Sequence, residues 1–219
     1  QSVLDNPDEV ICEGVIPTAI VGLPSMGGDV AVTYGWELTT DDGTSWNPIA
    51  GQTGTGYTPT LGITTDTWYR RIDTTSLSGV KCTAIIDTVK VIVNNFLILG
   101  NVINSDDTIC VGTTPPNLIG NPTTADGTVS FGWDLSTDDG ASWTPIAGAT
   151  FVNHLPTAGI STDTWYRRVD TTLIGTTQCL QIIDTVKIIV NNFTVVGGLN
   201  NPDDTICAGV IPLAINGVA

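Results

Sequence analysis

Residues 36–46 read WELTTDDGTSW, and residues 133–143 repeat them as WDLSTDDGASW. The offset between these two stretches is 133 − 36 = 97 positions. Later in the chain, residues 201–212 restart the pattern first seen at residues 6–17. Because self-similarity at a fixed period is the signature of a repeat architecture, the sequence predicts tandem copies of one module.

The repeat divides the chain into three parts. We expect module 1 to span residues 1–98 and module 2 to span residues 99–196. Residues 197–219 then supply the first strands of a third module, which this chain does not complete.

Apolar side chains alternate with small or polar ones along residues 30–38, which is the period-two pattern of a half-buried strand. The Asp41-Asp42-Gly43 triplet that follows is a hairpin turn signal. Near the end of the module, Val89, Val91 and Val93 give a further strand one apolar face. No segment has helical periodicity, so the sequence predicts an all-β fold of tandem immunoglobulin-like β-sandwich modules with about seven strands each.

The chain is strongly acidic, with 22 Asp and Glu residues against 7 Lys and Arg residues and a net charge of −15. It therefore lacks the basic patch with which nucleic acid or an anionic membrane surface is bound. No stretch approaches the roughly 18 apolar residues of a membrane span, so we expect no membrane insertion. A polar surface of Thr, Asn, Asp and Gly fits an extracellular or cell-surface protein.

The five cysteines follow the repeat. Each complete module has one cysteine near its start, Cys12 or Cys110, and one before its last strand, Cys82 or Cys179. We expect one disulfide inside each module, with buried free thiols as the alternative. The enclosed loops of 82 − 12 = 70 and 179 − 110 = 69 residues would give about 4 kcal/mol of stabilisation each. Cys207 would find its partner in the rest of module three or in a neighbouring chain.

The sequence offers little chemistry for catalysis or for a cofactor. Adjacent carboxylates recur, but no nucleophile or histidine accompanies them in both modules, so we expect no enzyme. A zinc site is not expected, because there is no CxxC pair and only one histidine. Asp5, Asp8, Asp106 and Asp107 lie near the module junctions and are candidate Ca²⁺ ligands, with solvated turn residues as the alternative.

Each module also carries an adjacent arginine pair, Arg70-Arg71 or Arg167-Arg168. Neighbours on a strand point to opposite faces, so we expect one arginine of each pair to meet an Asp or a Trp face rather than a ligand. Trp68 and Trp165 are the candidate carbohydrate platform. Rings that face solvent would favour glycan binding, and rings that pack inward would count against it.

The connection between the modules is apolar and β-prone, whereas a flexible linker would be polar and rich in Gly and Ser. We expect Phe96, Leu97 and Ile98 to pack at a module–module contact and to make the array a stiff rod. The alternative is that this segment prolongs the last strand of module 1 and that its inward residues close the core.

Both complete modules contain Cys-x-Gly-x-x-Pro, then Trp-x-x-Ser/Thr-x-Asp-x-Gly-x-Ser-Trp, then Thr-Asp-Thr-Trp-Tyr-Arg-Arg and a Val-rich closing strand. This pattern resembles the immunoglobulin-like repeats of large surface proteins of Bacteroidota. The resemblance covers both modules and the start of the third. It implies an exported protein of the adhesin, stalk or fibre type.

The stretch from Thr39 to Trp46 is also similar to the Asp-box, a motif best known from sialidases. Physically it is a hairpin lock, in which the Asp caps turn amides, the Gly takes a positive φ and the Trp packs beneath. A sialidase would need an arginine triad and a Tyr nucleophile on propeller blades of roughly 40–50 residues. The period of 97 residues does not fit such a propeller.

The triplet Asp-Thr followed by Thr or an aliphatic residue recurs six times and is similar to the O-glycosylation sequon of Bacteroidota. The resemblance implies glycan on an exported protein. The alternative is that Asp and Thr are simply abundant in these strands. The candidate acceptors are Thr74, Thr88, Thr108, Thr171, Thr185 and Thr205.

These observations predict a non-catalytic structural unit of an extracellular fibre, filament or cell-surface stalk. Its partners would be copies of itself or further repeats of the same polypeptide. The alternative is a ligand-binding adhesin that recognises glycan or protein at the cell surface. Near-identical modules without an aromatic pocket or a long variable loop favour the first interpretation.

Overall fold

The computed structural model describes Leu4 and residues 6–25, 30–192, 198–199, 208–211, 214 and 217–218. Within these ranges the chain is all-β, and no helix long and apolar enough to cross a membrane is present. The strands are β1 (Glu9–Cys12), β2 (Val32–Thr39), β3 (Asn47–Pro48), β4 (Thr67–Leu77), β5 (Val80–Asn94), β6 (Phe96–Ile98), β7 (Asn101–Val102), β8 (Asp107–Cys110), β9 (Gly120–Asn121), β10 (Thr124–Ala125), β11 (Thr128–Ser136), β12 (Thr144–Pro145), β13 (Thr164–Ile174), β14 (Thr177–Asn191), β15 (Gly198–Leu199) and β16 (Gly217–Val218).

Each module is built on a five-stranded sheet with the same connectivity. The strand order is β1-β5-β4-β2-β3 in module 1 and β8-β14-β13-β11-β12 in module 2. Neighbours in each sheet are antiparallel, except that the first strand of the module runs parallel to the last. Long hairpins, β4–β5 and β13–β14, therefore form the middle of the two sheets and end in two-residue turns.

A second, smaller layer covers one face of each sheet. In module 1 it consists of short bridges that pair Leu4 with Gly22 and Ile20 with Tyr57. In module 2 the same layer contains the β7–β9 pair and a bridge between Leu118 and His154. The two layers make each module a β-sandwich, as the sequence predicted.

The hydrophobic core lies between the two layers. Trp36 is 2% exposed, and its indole Nε1 donates a hydrogen bond to the Gly54 carbonyl at 3.0 Å. Val89, Val91 and Val93 all point into the same core, which confirms the apolar face predicted for this strand. Module 2 has its own core around Trp133, so each module buries its apolar face separately.

The hairpin turn after β2 has the predicted locked geometry. Asp41 Oδ1 accepts the Ser45 backbone N–H at 2.9 Å, and Gly43 has a φ of 83°. Trp46 Nε1 donates to the Gly43 carbonyl at 3.1 Å. Hydrogen bonds from the Ser45 side chain and backbone, and from the Thr39 hydroxyl, lower the pKa of Asp41 to about 2. The turn of module 2 repeats this arrangement around Asp138.

The segment between the modules differs from the prediction. Phe96–Ile98 form β6, which pairs through its backbone with β10 of module 2. Leu97 is 61% exposed and Ile98 is 65% exposed, so the expected packing of these two side chains at a module contact is wrong, whereas Phe96 is half-buried. The segment does not prolong the last strand of module 1 either, because β5 ends at Asn94. Main-chain pairing holds the connection in place and leaves two of its apolar side chains in solvent.

Candidate functional site: the junction between the modules

A disulfide joins the two modules. Cys12, at the end of β1 in module 1, is bonded to Cys179 near the start of β14 in module 2, with a Cα–Cα distance of 5.6 Å. The two cysteines are 167 residues apart in the sequence. The long β13–β14 hairpin of module 2 thus reaches back to the edge of the sheet of module 1.

The predicted pairing inside each module, Cys12 with Cys82 and Cys110 with Cys179, is wrong. Parallel pairing of β1 with β5 places Cys12 opposite Asn94. Cys82 lies 94 − 82 = 12 residues earlier on β5, which at a rise of 3.3 Å per residue is about 40 Å away. A disulfide needs Cα atoms roughly 4.4–6.8 Å apart, so neither intramodule bond can form in this fold.

The other two described cysteines are free. Cys82 and Cys110 are both exposed, which also excludes the alternative of buried thiols for this pair. Cys207, expected to be unpaired within the chain, lies outside the described residues.

A buried amide supports the disulfide. Asn94, the last residue of β5 in module 1, donates from Nδ2 to the backbone carbonyls of Thr172 and Thr177 in module 2, each at 3.2 Å. The Thr172 hydroxyl donates back to Asn94 Oδ1 at 2.9 Å. Asn94 is 1% exposed and Thr172 is 0% exposed, so these hydrogen bonds are shielded from water.

Two further contacts complete the junction. The Thr177 hydroxyl donates to the Val10 carbonyl at 3.0 Å. Asn95 and Asp126 bond reciprocally, because Asp126 N–H donates to the Asn95 carbonyl at 3.0 Å and Asn95 N–H donates to Asp126 Oδ2 at 3.3 Å. Sequence reasoning missed these polar residues. The recurrence of Asn94-Asn95-Phe96 at residues 191–193 was a signal for the two asparagines only.

The arginine pairs serve the modules themselves. Arg71 is 0% exposed and forms a two-pronged ion pair with Asp73, from Nε to Oδ1 at 2.8 Å and from Nη2 to Oδ2 at 3.1 Å. Arg70, on the opposite face, pairs with Glu37 and lies 4.0 Å from the centroid of the Trp46 ring. The prediction of structural pairing is confirmed, and module 2 repeats it with Arg168 and Arg167.

The candidate carbohydrate platform is covered by cations. Trp68 is half-buried, and Lys90 Nζ lies 4.3 Å from its ring centroid. Trp165 is likewise half-buried, with Lys187 Nζ at 5.1 Å. A sugar ring could stack on these indoles only after displacing the ammonium group, which counts against glycan binding at this position.

Three of the candidate Ca²⁺ ligands accept backbone hydrogen bonds, and Ca²⁺ binding by them stays a prediction. Asp8 Oδ1 accepts the Lys90 N–H at 3.0 Å, and Asp106 Oδ1 accepts the Lys187 N–H at 2.8 Å. Asp107 Oδ1 accepts the N–H of the next residue at 2.8 Å. Asp5 lies outside the described residues. In the part of the chain that the structure describes, no three Asp, Glu, His or Cys side chains are grouped as metal ligands.

The candidate glycosylation sites differ in access. Thr108 is exposed on β8, which is an edge strand of the sheet of module 2. Thr74, Thr88, Thr171 and Thr185 are half-buried, and Thr205 lies outside the described residues. Glycan on these threonines stays a prediction, and Thr108 is the most accessible acceptor among those described.

The repeat, the sandwich and the junction define a class of protein, namely tandem β-sandwich modules linked end to end. A family model described as "Domain of unknown function (DUF8696)" matches residues 5–95 and again residues 99–192. These matches cover more than half of the chain, so the chain belongs to this family and carries two copies of its domain.

Comparison with curated proteins finds no match. Among solved structures, the chain is similar to the fibronectin(III)-like modules of Clostridium thermocellum CbhA, with 13% identity and a TM-score of 0.31 over 86% of this chain and 93% of that chain. It is also similar to CBD12 from CALX1.2, with 10% identity and a TM-score of 0.23 over 84% of this chain and 98% of that chain.

Proposed function

We propose that this chain is a structural, non-catalytic segment of an extracellular filament or cell-surface stalk. The observation that carries the proposal is the disulfide between Cys12 of module 1 and Cys179 of module 2. The bond lies between successive modules, and neither cysteine belongs to the hydrophobic core cluster of its own module. Its effect is to fix the position of one module relative to the next, which is what a spacing element or an element under tension requires.

The polar contacts around the disulfide support the same role. Hydrogen bonds are directional, so the buried contacts of Asn94 with Thr172 and Thr177 define one orientation of the hairpin against module 1. If the modules moved independently, the contacts of Asn94 would be exposed repeatedly and exchanged for hydrogen bonds to water. Their burial therefore fits two modules held in one arrangement.

The redox chemistry supports the location. Disulfides persist in oxidising compartments, outside the cell or in the periplasm, and are rare where glutathione and thioredoxin keep thiols reduced. A junction that depends on Cys12 and Cys179 therefore fits an exported protein, as does the net charge of −15, which favours solubility.

Small-angle scattering of the 219-residue chain tests the proposal. We expect the oxidised chain to give one narrow distance distribution, and expect it to broaden in the Cys12→Ser variant or under reduction. The Cys82→Ser variant is the matched control, since its thiol is free, and it should scatter like the parent chain. A broad distribution for the oxidised parent chain would refute a rigid spacer.

A further inference from the structure

Cys110 and Cys82 occupy the repeat positions of the two bonded cysteines. Cys110 is the equivalent of Cys12, since 110 − 12 = 98, and Cys82 is the equivalent of Cys179, since 179 − 82 = 97. The offsets differ by one residue because module 1 has one more residue before β2 than module 2 has before β11.

The backbone around each free cysteine matches that around its bonded counterpart. Cys110 lies opposite Asn191 in the parallel β8–β14 pair, just as Cys12 lies opposite Asn94. On the hairpins, Cys82 lies opposite Thr75, just as Cys179 lies opposite Thr172. Each free cysteine is thus presented on the same strand, in the same register, as one half of the observed junction.

These positions are buried where a neighbouring module covers them, and they are exposed where no described module does so. Asn94 is 1% exposed at the junction, whereas its equivalent Asn191 is exposed. Cys179 is 4% exposed, whereas Cys82 is exposed. Because the sequences and the local folds correspond, the difference comes from the module that covers one set and not the other.

We infer that each free cysteine is one half of a further junction, which a neighbouring module of this repeat completes with its own cysteine. Cys110 bonds to the cysteine of the next module that corresponds to Cys179. Cys82 bonds to the cysteine of the preceding module that corresponds to Cys12. The result is an array in which a disulfide joins every module to each of its two neighbours. This inference rests on the proposed function and extends it from one junction to the whole array.

The chemistry of the bond needs an oxidant of the low-molecular-weight disulfide class. The thiolate of one cysteine attacks that disulfide and releases one thiol, and the second cysteine then attacks the mixed disulfide and releases the other. Two protein thiols and one small disulfide give one protein disulfide and two small thiols. The exposed Cys82 and Cys110 are open to this exchange.

The hairpin of module 1 carries most of the groups that the junction uses. Thr75 supplies the hydroxyl and carbonyl that Thr172 offers to Asn94. Val80 stands where Thr177 stands in module 2, so its backbone carbonyl is retained and only the side-chain bond to the β1 carbonyl is missing. This hairpin is therefore a fair probe for docking at Cys110.

The experiment uses two variants of the 219-residue chain, each with Cys207→Ser to remove the remaining cysteine that could form a further junction. One carries Cys82→Ser and retains Cys110, and the other carries Cys110→Ser and retains Cys82. Each is incubated at high concentration with oxidised glutathione, alone and mixed. We expect a covalent dimer in the mixture, with Cys110 linked to Cys82 by peptide mapping, and no dimer in either variant alone.

Homotypic dimers of either variant, or a mixture that stays monomeric, would overturn the inference. Asn191→Ala on the chain that retains Cys110 should slow heterodimer formation, because it removes the equivalent of the Asn94 amide. An unchanged rate would mean that the thiols pair without docking, which also overturns it. The proposed function is tested separately. If scattering shows a rigid oxidised chain but the two variants do not dimerise, only the inference about further junctions is refuted.

Discussion

Asn94 and Thr172 belong to different modules, yet each satisfies the other. The Asn94 amide donates to the Thr172 carbonyl at 3.2 Å and accepts the Thr172 hydroxyl at 2.9 Å. With 1% and 0% exposure, neither residue has ready access to water. The contact between the modules is therefore built around a polar pair as well as a covalent bond.

Replacing Asn94 should weaken the junction. In Asn94→Ala the Thr172 hydroxyl and two carbonyls lose their partner in a buried place, and an unsatisfied buried polar group costs about 1–3 kcal/mol. Asn191→Ala is the matched control, because this equivalent side chain is exposed. Chemical denaturation should show the loss only for Asn94→Ala. Equal effects of the two substitutions would contradict a role at the junction.

Peptide mapping under non-reducing conditions should find Cys12 linked to Cys179. Cys12→Ser should remove this link and lower the free energy of unfolding by up to about 5 kcal/mol, the chain-entropy value for a loop of this length. Cys82→Ser should leave both the link and the stability unchanged, since its thiol is free. A linked peptide of Cys12 with Cys82 would contradict the fold itself.

The two arginines of a pair should differ sharply in their effect on stability. Arg168→Ala leaves the carboxylate of Asp170 buried without its cation, and breaking such a buried pair costs about 3–5 kcal/mol. Arg167→Ala breaks a pair that is partly open to solvent, with a cost of about 1 kcal/mol or less. Thermal unfolding of the two variants compares them directly, and similar midpoints would refute the assignment.

Module 2 should lose stability at mildly acidic pH. Burial lowers the pKa of His154 below its usual value of 6.5. The unfolded chain then binds a proton more readily than the folded chain, so the free energy of unfolding falls as the pH drops through 6.5 towards the lower pKa of the folded state. Module 1 has Tyr57 at the equivalent position, since 154 − 97 = 57.

The substitution His154→Tyr should abolish this dependence between pH 7 and the lowered pKa. Its effect is measured by comparing thermal midpoints of the parent and the variant across that range. An identical pH profile for both proteins would mean that another group titrates there.

The sequence was informative where the signal is local. Period-two alternation predicted the strand that carries Trp36, and the Asp-Asp-Gly triplet predicted the locked turn at Asp41. Each of these depends on residues within a few positions of one another, so spacing along the chain is enough to recognise it.

The cysteine pairing could not be predicted in this way. It depends on the parallel register of β1 against β5, which places Cys12 beside Asn94 and far from Cys82. It also depends on the reach of a hairpin that belongs to the next module. Regular spacing within a repeat suggests a bond inside each copy, whereas the same spacing fits a bond between copies equally well.

Two covalent routes join the same two modules, namely the backbone through the exposed Leu97 and Ile98 and the bond from Cys12 to Cys179. A protease that cuts the exposed connection leaves the modules joined through sulfur, and a reductant leaves them joined through the backbone. A pull along the array is likewise shared by two covalent routes. Separation requires both kinds of damage at the same junction, which gives the assembly a built-in redundancy against either one alone.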